Sequence, residues 1–260
     1  MKIAIVTGAS SGLGQEFARQ IDKKLRGIDE IWLIARREKR MEELKKELNS
    51  PARILPFDLA NEESLFMLEQ LLAQERPDVK LLVNAAGYGK IGQFAKVDRE
   101  EELGMIDLNC RALCGVTHVV LPYISNNSRI IQFASAAGFA PQPEFAVYAA
   151  TKAFVISFSK ALNSELRRRK IYVTAVCPGP VKTEFFEIAE TTGQIPFYKK
   201  LVMASPAKVV KRAMKDSAMG RTESVYGLLM QGFEVLCKVV PHRWILMVME
   251  TVSKNKRIDQ

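Results

Sequence analysis

The sequence predicts an α/β fold, one doubly wound parallel sheet with helices on both faces. Two observations carry this expectation. Apolar runs of strand length recur at Ile3–Val6, Ile31–Ala35, Ala52–Phe57, Leu81–Asn84, Arg129–Ala134 and Ile171–Cys177. Helix-like segments lie between them at Gly12–Lys24, Lys39–Leu48, Glu62–Gln74, Glu100–Tyr123 and Ala146–Arg169. Runs that are unbroken, not alternating, belong to strands buried on both faces, and strict β-α alternation makes the sheet parallel with right-handed crossovers.

The first strand breaks into Thr7-Gly8-Ala9-Ser10-Ser11-Gly12-Leu13-Gly14 and a helix follows at once. Glycines let backbone approach a ligand closely, and a helix N-terminus offers unpaired N–H groups and a positive dipole end to phosphate. This turn therefore predicts a nucleotide site. Its T-G-x-x-x-G-x-G spacing differs from the usual G-x-G-x-x-G.

With 260 residues, 48% of them hydrophobic, the chain suits one well-buried domain spanning residues 1–260. The rhythm changes after Pro178-Gly179-Pro180. The aperiodic stretch that follows predicts a substrate lid over about 184–215, since ligands of open α/β sheets bind beyond the strand C-termini. An apolar C-terminal helical extension is expected over about 225–256, with Leu229, Phe233, Leu236 and Val240 at helical spacing. Three readings of it stay open: a lid over an apolar substrate, an oligomer contact, or a peripheral membrane contact aided by Lys254, Lys256 and Arg257.

The net charge of +9 raises the question of acidic partners, but the basic residues sit in scattered short clusters without interleaved aromatics. Most read as solvated helix faces, and nucleic acid is not an expected partner. Four cysteines make no disulfide framework, no signal peptide is visible, and the apolar stretch Trp244 to Met249 is far below the roughly 20 residues that span a bilayer. A cytoplasmic setting is the default. Cys110, Cys114 and His118 share a helical face without a fourth ligand, so no metal is expected.

Tyr148 and Lys152 lie one helical turn apart and share a face. A nearby lysine cation is expected to pull the phenol's pKa down toward neutrality, making Tyr148 a usable general acid or base. Ser135 follows the fifth apolar strand, at its C-terminal end, where it can hydrogen-bond a substrate carbonyl. Asn109 falls mid-helix, where asparagine is unfavourable. Either it holds a water linking Lys152 to solvent, or it is a buried polar residue satisfied by backbone.

Thr7-Gly8-x-x-x-Gly12-x-Gly14, Asn84-Ala85-Ala86-Gly87, Asn109, Ser135, Tyr148-x-x-x-Lys152 and Pro178-Gly179-Pro180-Val181-Lys182-Thr183 occur in the order seen in classical short-chain dehydrogenases/reductases. Over roughly residues 1–220 the chain resembles that family, whose fold is the Rossmann fold. The family usually has Asn-Asn-Ala-Gly where this chain has Asn84-Ala85-Ala86-Gly87.

The resemblance implies an oxidoreductase that moves a hydride between a nicotinamide and a carbonyl/alcohol substrate. Tyr148 would be the proton donor or acceptor. Lys152 would lower its pKa and hold the nicotinamide ribose, Ser135 would orient the reacting oxygen, and Asn109 would complete the proton relay. Carried onto the matching positions, the cofactor would be held by Gly8, Ser10, Ser11, Gly12, Leu13 and Gly14, by Arg36 and Arg37, and by Asp58 and Leu59. Asn84, Ala85 and Gly87, Tyr148 and Lys152, and Pro178, Gly179, Val181 and Thr183 would complete its site. Homodimers or homotetramers are usual in the family. A catalytically silent nucleotide-binding scaffold of the same fold is the alternative function.

The end of the second strand selects the cofactor. An acid there would bind the ribose hydroxyls of NAD, whereas this chain has Arg36-Arg37, which can bind a 2′-phosphate in paired hydrogen bonds and stack on adenine. NADP(H) is therefore expected over NAD(H). The apolar C-terminal segment favours an apolar ketone, aldehyde, steroid-like or acyl-chain substrate.

Overall fold

A computed structural model describes residues 1–185, 189 and 203–249. Seven strands form one parallel sheet in the order β3-β2-β1-β4-β5-β6-β7. They are β1 (Lys2–Thr7), β2 (Glu30–Ile34), β3 (Ala52–Leu55), β4 (Asp78–Asn84), β5 (Ile124–Phe133), β6 (Tyr172–Val176) and β7 (Glu223–Ser224). The order reverses between β1 and β4, which opens a crevice at their C-terminal ends.

The unbroken apolar runs are explained by two hydrophobic layers. In β1, Ala4 and Val6 enter one layer while Ile3 and Ile5 enter the other; in β2, Ile31 and Leu33 part from Trp32 and Ile34 in the same way. Helices α1 (Gly12–Lys24) and α2 (Glu38–Glu47) cover the first layer through Phe17, Ala18, Ile21, Met41 and Leu44. Helices α3 (Glu62–Glu75), α5 (Leu113–Val120) and α6 (Ala146–Leu166) cover the second through Leu68, Leu72, Val116, Val120 and Leu162. Each of the larger of these side chains stabilises the fold by about 1.5–3 kcal/mol. Phe17 meets Phe133 edge-on at 5.4 Å, which anchors the end of β5 beneath the crevice.

Two sequence expectations change here. The long helix at Glu100–Tyr123 is instead α4 (Arg99–Ile106), a π-helical segment Asp107–Ala112, α5, and the short 3-10 turn Leu121–Tyr123. Of the stretch expected as a lid, the part from Pro206 onward belongs to α7 (Pro206–Ala218), which buries Val209, Val210 and Ala213 in the first layer. The remaining lid residues 186–188 and 190–202 lie outside the described residues. In the C-terminal segment, α8 (Leu228–Val239) and helical residues 242–249 are described, and residues 250–256 lie outside. Among the described residues, no helix is long and apolar enough to cross a membrane.

Candidate active site

The crevice begins at Thr7, whose Oγ1 accepts hydrogen bonds from the backbone N–H groups of Ala85 and Ala86, both at 3.1 Å. This ties the end of β1 to the loop after β4. Gly8 turns the chain at φ +66°, and a Cβ there would lie 2.7 Å from the carbonyl oxygen of Ala85, so no other residue fits. Ser11 is the N-cap of α1 but its side chain makes no capping hydrogen bond, which leaves the first helical N–H groups to face the crevice.

Arg37 follows β2 and reaches back over this turn. Its Nε donates to Ser10 Oγ at 3.2 Å and a terminal nitrogen donates to Ser11 Oγ at 2.6 Å. The same guanidinium pairs with Glu184 at 3.0 Å, and Arg40 binds the other oxygen of that carboxylate. Arg36 stays more exposed, 3.9 Å from Asp58. Asp58 accepts from the Ala60 N–H at 3.2 Å, while Asn61, not Asp58, caps α3. Glu184 was not legible as a site residue because it stands in the aperiodic stretch after Thr183.

Beyond β5 lies the second half of the site. Ser135 starts a 3-10 turn, accepting from Ala137 N–H at 3.1 Å, and its hydroxyl hydrogen-bonds Tyr148. Tyr148 and Lys152 are buried on one face of α6, with Lys152 Nζ 5.5 Å from the Tyr148 ring centre. That amine donates to the carbonyl of Phe133 at 2.9 Å. Burial raises the Tyr148 phenol well above its ordinary value, opposed by the Ser135 hydrogen bond. Burial also lowers the Lys152 amine to about 8. The sequence expectation that Lys152 draws Tyr148 toward neutrality is thus corrected: desolvation dominates, and the phenol stays protonated at neutral pH.

Asn109 is fully buried in the π-helical segment, a local widening that turns its amide toward the crevice loop. Its Nδ2 donates to the Tyr88 carbonyl at 2.9 Å and to Thr151 Oγ1 at 3.1 Å, while Oδ1 accepts from Tyr88 N–H at 3.1 Å. The backbone thus satisfies it. It also stands near the amine of Lys152: a Cβ on Gly87 would lie 2.6 Å from Asn109 Oδ1 and 3.4 Å from Lys152 Nζ.

These pieces surround one cavity of about 1110 Å³. Every predicted site residue lines it except Asn84 and Asn109. Asn84 sits behind the wall, donating to Thr117 Oγ1 and Gln132 Oε1 at 3.0 Å each. The turn, the helix N-terminus and the arginines fit a dinucleotide in one half. The other half is apolar: Phe145 stacks on Tyr148 at 4.2 Å, Phe185 lies 5.4 Å from it, and Leu229, Met230 and Phe233 of α8 close the wall. The sequence pointed to that helix, with Leu229 and Phe233 in its apolar stripe and Met230 beside them, but it did not single out Phe145 or Phe185.

Known proteins share this arrangement. A family model described as short chain dehydrogenase matches residues 2–192. Sulfoacetaldehyde reductase 2 of Chromohalobacter salexigens is 37% identical over 192 residues, covering 70% of this chain and 74% of that protein. The very-long-chain 3-oxoacyl-CoA reductase of Pyrenophora tritici-repentis is 31% identical over 216 residues, 79% of this chain and 62% of the relative. Among solved structures, a short-chain dehydrogenase from Sphingobium yanoikuyae in complex with NADPH superposes with TM-score 0.77 at 26% identity, covering 100% of this chain and 96% of that one. A glycine turn at a helix N-terminus, a serine beside a buried tyrosine and lysine, and these relatives agree: the chain is an oxidoreductase belonging to the short-chain dehydrogenase/reductase family, with a nicotinamide cofactor.

Proposed function

We propose that the protein is an NADP(H)-dependent oxidoreductase acting on an apolar carbonyl/alcohol pair, with Tyr148 as the general acid or base. One observation carries this reading: Ser135, Tyr148 and Lys152 meet at the inner end of a cavity that has the phosphate turn on one side and apolar walls on the other. The nicotinamide, when bound, supplies the hydride for the carbonyl carbon. Gly8, Gly12, Leu13 and Gly14 would hold its phosphates, and Lys152 its ribose.

Ser135 and Tyr148 converge on the carbonyl oxygen as two hydrogen-bond donors and polarise it. Tyr148 then gives its proton to that oxygen. The raised phenol pKa keeps that proton available for donation at neutral pH. Lys152, buried and anchored on Phe133 beside the Tyr148 ring, steadies the phenolate left behind. Asn109, bonded to Tyr88 and Thr151, holds the loop and the helix that carry these groups in register.

For NADP(H) over NAD(H), the support is Arg37, fixed across Ser10 and Ser11 at the cavity edge, with Arg36 beside it and no acid at the strand end. For an apolar substrate, the support is the wall of Phe145, Phe185, Met230 and Phe233. The long-chain and bulky-ketone names of some relatives point the same way. The four cysteines are all free, as suits a cytoplasmic setting, and a homodimer or homotetramer is the assembly we expect. A panel of aliphatic ketones and aldehydes of increasing chain length, followed by NADPH absorbance, tests the reading. Turnover that rises with chain length supports it; no turnover across the panel contradicts it.

A further inference from the structure

Helix α8 is apolar on opposite sides. Its inner side packs Met230, Phe233 and Cys237 against the domain, where Phe233 lies 6.4 Å from Phe139. On the outer side Leu228, Val235 and Val239 recur at seven- and four-residue spacing and are 86%, 60% and 75% exposed. The helical residues 242–249 add Trp244 and Val248, 51% and 64% exposed, one turn apart. The charged side chains of α8, Glu234 and Lys238, pair with each other on its flank, and Lys238 also lies near Glu223. A surface helix that is apolar on its outer side as well as its inner one presents a patch that marks an interaction site.

We infer that this face docks on a lipid bilayer surface, and that the active-site cavity opens onto it to receive substrate from the membrane. The chemical reason is the position of Leu229 and Val248. Both are strongly exposed and both line the cavity, so whatever covers the face also covers the cavity rim. A folded protein partner would seal that rim, whereas fluid acyl chains cover it and deliver an apolar substrate through it. The flanking chemistry fits an anionic surface. Arg243 lies 5.5 Å over the Trp244 ring, the aromatic and basic pairing that suits the headgroup level. Shallow insertion of a few large apolar side chains beside basic residues gives reversible attachment without a spanning helix.

The substrate route rests on the apolar reading under Proposed function, but docking does not, so it is tested without turnover. The full chain is sedimented with vesicles of phosphatidylcholine containing about a third phosphatidylglycerol, next to the variant Leu228→Glu with Val239→Glu. Neither residue lines the cavity, and both are exposed, so the variant keeps its fold and its activity on a small water-soluble carbonyl. The expected result is that the wild type pellets with vesicles and the variant's apparent affinity falls about tenfold or more. Wild-type protein that stays in the supernatant overturns the inference. Equal binding of wild type and variant overturns it too. A wild-type dimer that the two substitutions convert to monomer, measured by sedimentation velocity without lipid, assigns the face to a second copy and overturns it as well.

Discussion

Arg37 and Glu184 close an ion pair at 3.0 Å across the mouth of the cofactor cleft, joining the end of β2 to the segment that follows Thr183. Arg40 binds the same carboxylate. A 2′-phosphate that engages Arg37 has to compete with this carboxylate. Exposed pairs of this kind are worth up to about 1 kcal/mol. Glu184→Gln is therefore expected to tighten NADPH binding by roughly fivefold and to change NADH binding little. Cofactor titration by fluorescence quenching reads both, and equal changes for the two cofactors count against the 2′-phosphate site.

Arg37→Ala makes the complementary test. It removes the hydrogen bonds to Ser10 and Ser11 along with the charge. NADPH affinity should fall at least about tenfold more than NADH affinity, the scale of a charge-assisted bidentate contact. Arg36→Ala, with an exposed side chain 3.9 Å from Asp58, should have a smaller effect.

Lys152 links activity to stability with opposite signs. Its folded pKa of about 8 lies below the ordinary 10.5 because the cation is buried. Below about pH 8 the amine is charged in folded and unfolded chains alike, and the folded state bears the full burial cost. Between about pH 8 and 10.5 only the unfolded chain keeps the proton, so native stability rises with pH. The shift corresponds to about 3 kcal/mol. Lys152→Met should raise the unfolding midpoint at pH 7 and abolish that pH-dependent gain, while turnover collapses. A lower midpoint at pH 7 contradicts this.

The same values shape the rate profile. Tyr148 remains protonated through the neutral range, so the reductive kcat/KM should be flat up to about pH 8 and decline as Lys152 loses its proton. Steady-state rates at fixed ionic strength between pH 6 and roughly 9.5 provide the check.

Asn109→Ala strips partners from the Tyr88 N–H and carbonyl and from Thr151. Unpaired buried groups cost about 1–3 kcal/mol each, so a loss of at least about 2 kcal/mol in denaturant unfolding is expected.

The sheet was legible because β1, β2, β4 and β6 are short apolar runs with helices between them, and burial on both faces leaves that mark. Strand β7 was not, since Glu223–Ser224 is two polar residues held by β6. Helix α7 was not legible: its short apolar positions Val209, Val210 and Ala213 follow directly on an aperiodic stretch that hid its start. The mid-helix position of Asn109 signalled that something was unusual. A π-helical turn has no sequence period of its own over six residues, so its geometry was not legible. The motifs located Ser135, Tyr148 and Lys152, yet the electrostatic balance between them depends on burial, which only the folded arrangement reveals. Asn84 carried the family's motif but faces the core beneath the cleft.

In the proposed mechanism the Tyr148 hydroxyl delivers the proton at a carbonyl positioned by Ser135. Tyr148→Phe keeps the ring that stacks on Phe145 at 4.2 Å and removes only the hydroxyl, so fold and cofactor cleft are preserved. The direct measurement is the NADPH-dependent reduction rate of this variant on the best carbonyl of the panel, alongside its NADPH dissociation constant. The expected result is a rate loss of about 10²–10⁴-fold with NADPH affinity within about twofold of wild type. Turnover near the wild-type rate, with NADPH still bound, would contradict it.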